Sequence, residues 1–192
     1  FRFIMKKIII LFVFLFVLSC QPIERIDSVV FDNNQFSKFD ILSASVEITN
    51  IFEKKISNPY IGHTMEVDPS QRIIDWVNDN FRAIGNENIF TVTILDASLT
   101  QTELENNEAK NFDEKTNYKY ELFYLIEFNL YDDSRNLVAS TLVENVRSTT
   151  SGLLTSIQER ENIINDLVYQ GLKDISNESK LLLMKYMGDF IL

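Results

Sequence analysis

At 192 residues, 45% of them apolar and 12% aromatic, the chain is long enough to bury one core without cross-links and too apolar to stay disordered. Its net charge of -10 argues against nucleic acid as a partner, because that affinity comes from Lys and Arg neutralising phosphates, and against a broad basic contact with anionic lipid. With one histidine, one cysteine and five glycines, the chain has no HExxH or CxxC pair, no GxSxG elbow and no P-loop; no cofactor or metal is expected, and the chain is not expected to be an enzyme.

Residues 5–20 carry the strongest local pattern: Met5, the basic pair Lys6 and Lys7, an unbroken apolar run over residues 8–18, then Ser19 and Cys20. Eleven apolar residues are too few to span a bilayer, which takes roughly 20, whereas a basic flank, a short apolar run and a small residue make a secretory signal peptide. With the lone cysteine directly after the small residue, the segment resembles a bacterial lipoprotein signal. That resemblance implies cleavage after residue 19, acylation of Cys20 and a membrane anchor through it; Gln21, where aspartate would imply inner-membrane retention, implies the periplasmic face of the outer membrane. Without Arg2, Lys6 and Lys7 the remainder carries about -13, so the membrane link must come from the lipid, and two or three acyl chains hold where one is marginal.

Residues 21–38 show no sustained period and read as a tether, leaving residues 39–192 as a single domain. From Phe39 the pattern alternates, with Leu42, Ala44, Val46 and Ile48 on one face and Ser43, Ser45, Glu47 and Thr49 on the other, which predicts a half-buried strand. Asn58-Pro59 and Gly62-His63 mark turns in a long connection. Asp68-Pro69-Ser70-Gln71 supplies an N-cap, a proline at the first helical position and a glutamine at the third; Ile73, Ile74, Val77, Phe81 and Ile84 form a stripe, and Gly85 a stop. A helix over residues 69–84 follows, with Trp76 at the border of its stripe.

Phe90, Val92 and Ile94 share one parity and Ala97 and Leu99 the other, which predicts a second strand with a bulge near Leu95 and Asp96. Residues 103–116, rich in Glu and Asn, read as an exposed loop; its carboxylates Glu103, Glu105, Glu108, Asp113 and Glu114 are solvating before they are a basic partner's target. The third strand is marked by Tyr120, Leu122, Tyr124, Ile126, Phe128 and Leu130 on one face, residues 132–136 make a hairpin turn, and residues 137–147 return as the fourth strand. Ser156 and Glu159 form a capping box, after which Ile164, Leu167, Val168, Gly171, Leu172 and Ile175 follow helical spacing. Ser176-Asn177 is a point where this second helix could break.

The order strand, helix, then three sequential strands and a helix predicts an α+β two-layer sandwich: a four-stranded, mainly antiparallel sheet with two helices on one face. Gly62-His63 ahead of Pro69, Trp76 in the first helix, Ile94-Leu95-Asp96-Ala97, the strand of Tyr120, and Arg147-Ser148 leading to Glu159-Arg160 resemble functionally uncharacterised envelope lipoproteins of alphaproteobacteria. The element order is similar to that of lipopolysaccharide-assembly lipoproteins and of the auxiliary lipoproteins of ABC-type lipid transporters. The resemblance implies the fold first and a role in outer-membrane assembly or lipid trafficking second.

His63 has no evident nucleophile beside it and reads as a loop residue, and Asp132 and Asp133 read as a solvated turn before a cation site. Candidate interaction residues are Trp76, which reads as half-buried core before it is a contact residue, and, in the last stretch, Leu183, Tyr186, Met187 and Phe190, because residues 181–192 are apolar almost all round a helix and one face of a small sheet cannot bury them all. The composition and anchor thus predict a non-enzymatic envelope lipoprotein that binds a protein partner. The competing expectation is a module holding a lipid or other apolar ligand between sheet and helices; Tyr118, Tyr120 and Tyr124 could line it, though at period two they read first as core of the sheet.

Overall fold

The computed structural model describes residues 28–105 and 116–192. Among them the order is β1 (Phe39–Ile41), β2 (Ser45–Asn50), α1 (Pro69–Asn80), β3 (Phe81–Ala83), β4 (Ile89–Glu105), β5 (Thr116–Tyr131), β6 (Leu137–Gly152) and α2 (Ile157–Met187). The main sheet runs β2-β4-β5-β6, with β2 parallel to β4 and the other two pairs antiparallel. Both helices lie on one face of it, so the fold is the expected α+β sandwich. A small parallel pair, β1 with β3, closes one end.

The best-marked elements form as their residues dictate. Tyr120, Leu122, Tyr124, Ile126, Phe128 and Leu130 alternate with polar neighbours along β5 and are all 0% exposed, as a strand with one covered face requires. In β4 the register shifts between Ile94 and Asp96, so the extra residue, Leu95, lets Phe90, Val92 and Ile94 and then Ala97 and Leu99 all face inward. Asp68 caps α1 by accepting from the backbone N–H groups of Ser70 and Gln71, and Ser156 caps α2 by accepting from Glu159 N at 3.2 Å. Gly171 sets α2 down on β5: a Cβ there would drive into a methyl of the buried Leu122.

Five expectations change. The predicted first strand is two strands in different sheets, because the chain turns at residues 42–44. Ser43 is 0% exposed, its N–H donates to Ile41 O at 2.8 Å and its hydroxyl to Ser45 O at 2.9 Å, and Ala44 faces out, the reverse of the simple alternation. Gly85 packs against this corner, where a Cβ would lie 2.8 Å from the backbone of Leu42 and Ser43.

The first helix stops at Asn80. Phe81 N–H closes the last turn on Val77 O, and the chain then extends to pair with β1, stacking the rings of Phe39 and Phe81 at 4.5 Å. The second helix runs unbroken through Ser176 and Asn177, and the buried Ser176 and Ser179 face the protein interior. The loop expected over residues 103–116 is shorter at both ends, since β4 continues to Glu105 and β5 begins at Thr116; Glu108, Asp113 and Glu114 lie outside the described residues.

Part of the expected tether is docked. Phe36 is 7% exposed, Phe31 meets the Tyr169 ring edge-on at 5.4 Å, the Arg72 guanidinium lies 3.6 Å over the Phe31 ring, and Asn33 Nδ2 donates to Asp79 Oδ2 at 2.8 Å. Residues 31–36 are therefore packed against the domain across α1 and α2.

Candidate interaction surface

The covered face of the sheet is filled. Trp76, expected at a border, is 0% exposed and stands edge-on to Phe81 at 5.2 Å; a ring wholly inside the core offers no surface to a partner. Tyr120 and Tyr124 are likewise 0% exposed, and burial raises the Tyr124 hydroxyl far above its ordinary pKa. Among the described residues the space that an apolar ligand would need between the layers is occupied by these side chains. The volume that remains lies in open clefts at the rim. One, of about 530 Å³, is bounded by the docked segment at Phe31, by Met65 and Arg72, and by Ile164 on α2. Burial lowers the Arg72 pKa there, while Asp75 opposes it.

The last stretch of the chain divides between inside and outside. Leu183 is 0% exposed, Met187 1% and Ile191 5%, whereas Tyr186 is exposed and Phe190 half-buried. The tail is tied into the small sheet: Leu42 N–H donates to Phe190 O at 2.8 Å and Leu192 N–H to Asp40 O at 2.9 Å. Leu183 and Met187 are thus core, and Ile191 is enclosed where the tail pairs with Ile41 of β1. Of the apolar tail residues, Leu181, Met184, Tyr186 and Leu192 remain outside.

His63 sits exposed in a 3-10 turn, Gly62–Thr64. The hollow beside it holds about 10 Å³, room for one water molecule and no substrate. The nearby carboxylate, Asp68, is committed elsewhere. Burial raises its pKa, but Lys54 Nζ at 2.6 Å, the Ser70 hydroxyl and the Gln71 amide outweigh that and hold it below the ordinary value. Asp132 is held by Asn136, whose side chain and backbone N–H both donate to it and lower its pKa. Asp133 accepts from Asn88 N at 3.1 Å, so both carboxylates serve the turn. Among the described residues no three His, Cys, Asp or Glu side chains gather as a metal would require, and no helix is long and apolar enough to cross a membrane. Cys20 lies outside the described residues.

Sequence reading missed the other face of the main sheet. Among the described residues no helix covers it, yet Phe123 and Leu125 of β5 are only half-buried, and Leu142 and Val146 of β6 are 51% and 61% exposed. Register brings them together: Phe123 opposes Val146, Leu125 opposes Glu144, and Glu127 opposes Leu142. On the β4 side Ser98 opposes Phe123 and Asp96 opposes Leu125. The result is an apolar cluster rimmed by the carboxylates of Asp96, Glu121, Glu127 and Glu144. The nearest cation on this face, Lys119, is paired with Glu121 at 2.6 Å. The available signal was Leu142-Val143 in β6: two adjacent apolar residues break alternation, so one must face outward.

No protein-family model and no curated protein matches the chain. Solved structures do. A minor lipoprotein from Acinetobacter baumannii shares 14% identity at a TM-score of 0.35, over 71% of this chain and 93% of that one. The rare lipoprotein B from Shewanella oneidensis shares 13% at a TM-score of 0.38, over 73% and 97%.

Proposed function

We propose that the chain is a non-enzymatic, lipid-anchored lipoprotein of the bacterial envelope that acts by binding a protein partner, in outer-membrane assembly or lipid trafficking. The anchor reading rests on Lys6 and Lys7, the apolar run over residues 8–18 and Cys20. The observation that carries the partner reading is the uncovered apolar cluster of Phe123, Leu125, Leu142 and Val146 on an otherwise acidic sheet face. Large apolar side chains gathered on an exposed face mark interaction sites more often than those scattered singly. Among the described residues the buried side chains fill the centre of the space between the layers, which favours a protein partner over an enclosed ligand, and Asp68, Asp132 and Asp133 are each held by neighbouring groups.

The test is palmitate labelling with membrane fractionation. The full chain should take up label and sediment with outer membranes, and Cys20→Ser should lose the label and accumulate as a larger precursor. A Cys20→Ser protein of mature size that stays membrane-bound would contradict the anchor. A purified lipidated chain that brings down no stoichiometric protein from gently solubilised envelopes would contradict the partner reading.

A further inference from the structure

Building on the partner reading, we propose that β6 receives an extended segment of the partner as a fifth strand of the main sheet. A basic residue of that segment lies opposite Glu144, and apolar residues two positions to either side pack on Leu142 and Val146.

The first ground is the edge itself. β6 has 16 residues, where strands have typically about 5 to 6, and among the described residues no strand lies on its outer side. A strand of this length carries a long row of backbone N–H and C=O groups at fixed spacing, and what pairs with such a row is another extended backbone. Proteins ordinarily blunt so long an edge with proline, charged side chains (lysine above all), inward-pointing charges or a central bulge; on β6 the inward charge, Arg147, is neutralised by Asp174. β6 has no proline and no lysine, and its register shift is confined to the start, at the Leu130/Tyr131 pairing. The opposite edge, β2, has only six residues.

Side chains define the occupant further. Ser140, Leu142, Glu144, Val146, Ser148 and Thr150 point to the uncovered face and are exposed. Glu144 has no ion-pair or hydrogen-bond partner among the described residues. Arg147, the one cation of β6, is turned to the helix side and held by Asp174 at 2.6 Å. A strand laid beside β6 therefore meets apolar, acidic, apolar at alternate positions. Cross-strand neighbours of opposite charge stabilise pairing and like charges destabilise it, so the complementary segment reads apolar, basic, apolar. A second copy of this chain fits poorly, since antiparallel pairing centred on Glu144 brings the two Glu144 carboxylates face to face.

The experiment places a photoreactive benzoylphenylalanine at Ser140, Leu142, Val146 or Ser148, and separately at Leu181, Met184 or Tyr186, in the full lipid-anchored chain in its native host. Adducts are sequenced by mass spectrometry. The proposal expects the four β6 positions to capture one partner segment, with the captured residue advancing step by step along that segment and a Lys or Arg falling opposite Glu144. Glu144→Lys should reduce adduct yield at least tenfold with an unchanged melting temperature, and a charge-reversed partner residue should restore it. Adducts of the chain with itself would replace the partner strand with a dimer. Adducts at the tail positions alone, with β6 silent, would overturn strand addition and leave the partner reading standing. Lipid adducts without protein at every position would overturn both.

Discussion

The two faces of β5 and β6 are built from the same strands and the same backbone ladder, and they differ in what covers them. On the inner face Tyr120, Leu122, Tyr124, Ile126, Phe128 and Leu130 are wholly buried under α1 and α2. On the outer face Phe123, Leu125, Leu142 and Val146 meet no second layer among the described residues. An inner-face side chain contributes to folding because its partners are in the chain already; an outer-face one leaves its apolar area in water until something else arrives. If the outer face binds a partner as proposed, strand parity separates stability from recognition, and substitutions should separate them too.

The largest effect should come from removing inner-side material that looks peripheral in sequence. Truncation after Lys180 deletes the buried Leu183, Met187 and Ile191, roughly 5 to 9 kcal/mol at about 1.5 to 3 kcal/mol per side chain. That is comparable with a whole domain's stability, about 5 to 15 kcal/mol. The truncated domain should show no cooperative melting by circular dichroism; a sharp transition would mean the tail is not core. Next is Trp76→Ala, which should cost about 3 to 5 kcal/mol as a fully buried aromatic, read as a lowered denaturant midpoint. A midpoint within error of the parent would place the ring outside the core.

Asp68→Ala should cost about 1 kcal/mol through the lost helix cap. The carboxyl titrates below its ordinary value of 3.8 when folded, so its contribution is present above that value and is lost as pH falls through the folded pKa. Asp32 and Asp132 are also lowered. Asp68→Asn should therefore flatten the loss of stability below about pH 4 without abolishing it, and an unchanged acid profile would remove Asp68 from this account. The smallest effect on folding belongs to the outer face: Leu142→Ser and Val146→Ser should each change stability by about 0.5 kcal/mol or less while together abolishing co-purification of the partner. Loss of several kcal/mol, or full retention of the partner, would erase the distinction between the faces.

What was legible in the sequence was local. Alternation in β5, the parity change at Leu95 and Asp96, the Asp68-Pro69 start and the Ser156 cap are each set by neighbours a few residues apart. What was not legible depended on distant partners. Nothing near Phe81 shows that it leaves its helix to stack on Phe39, 42 residues earlier, or that Ile191 is enclosed by pairing with Ile41. The same limit explains Trp76: its place at the edge of an apolar stripe is correct for a helix against one wall, but Phe81 in β3 forms a second. The tail drew attention for its apolar character and proved to be half core, whereas the outer cluster was hidden because its four residues lie on two strands and meet only through the β5–β6 register.

The most direct measurement of the division between faces is amide hydrogen exchange on the lipidated chain purified with its envelope partner, set against the isolated domain. Exchange in β6 over residues 137–150 should slow at least tenfold in the complex, with the α2 and β4 amides little changed. Protection confined to residues 181–192, with β6 exchanging as in the isolated domain, would contradict the account.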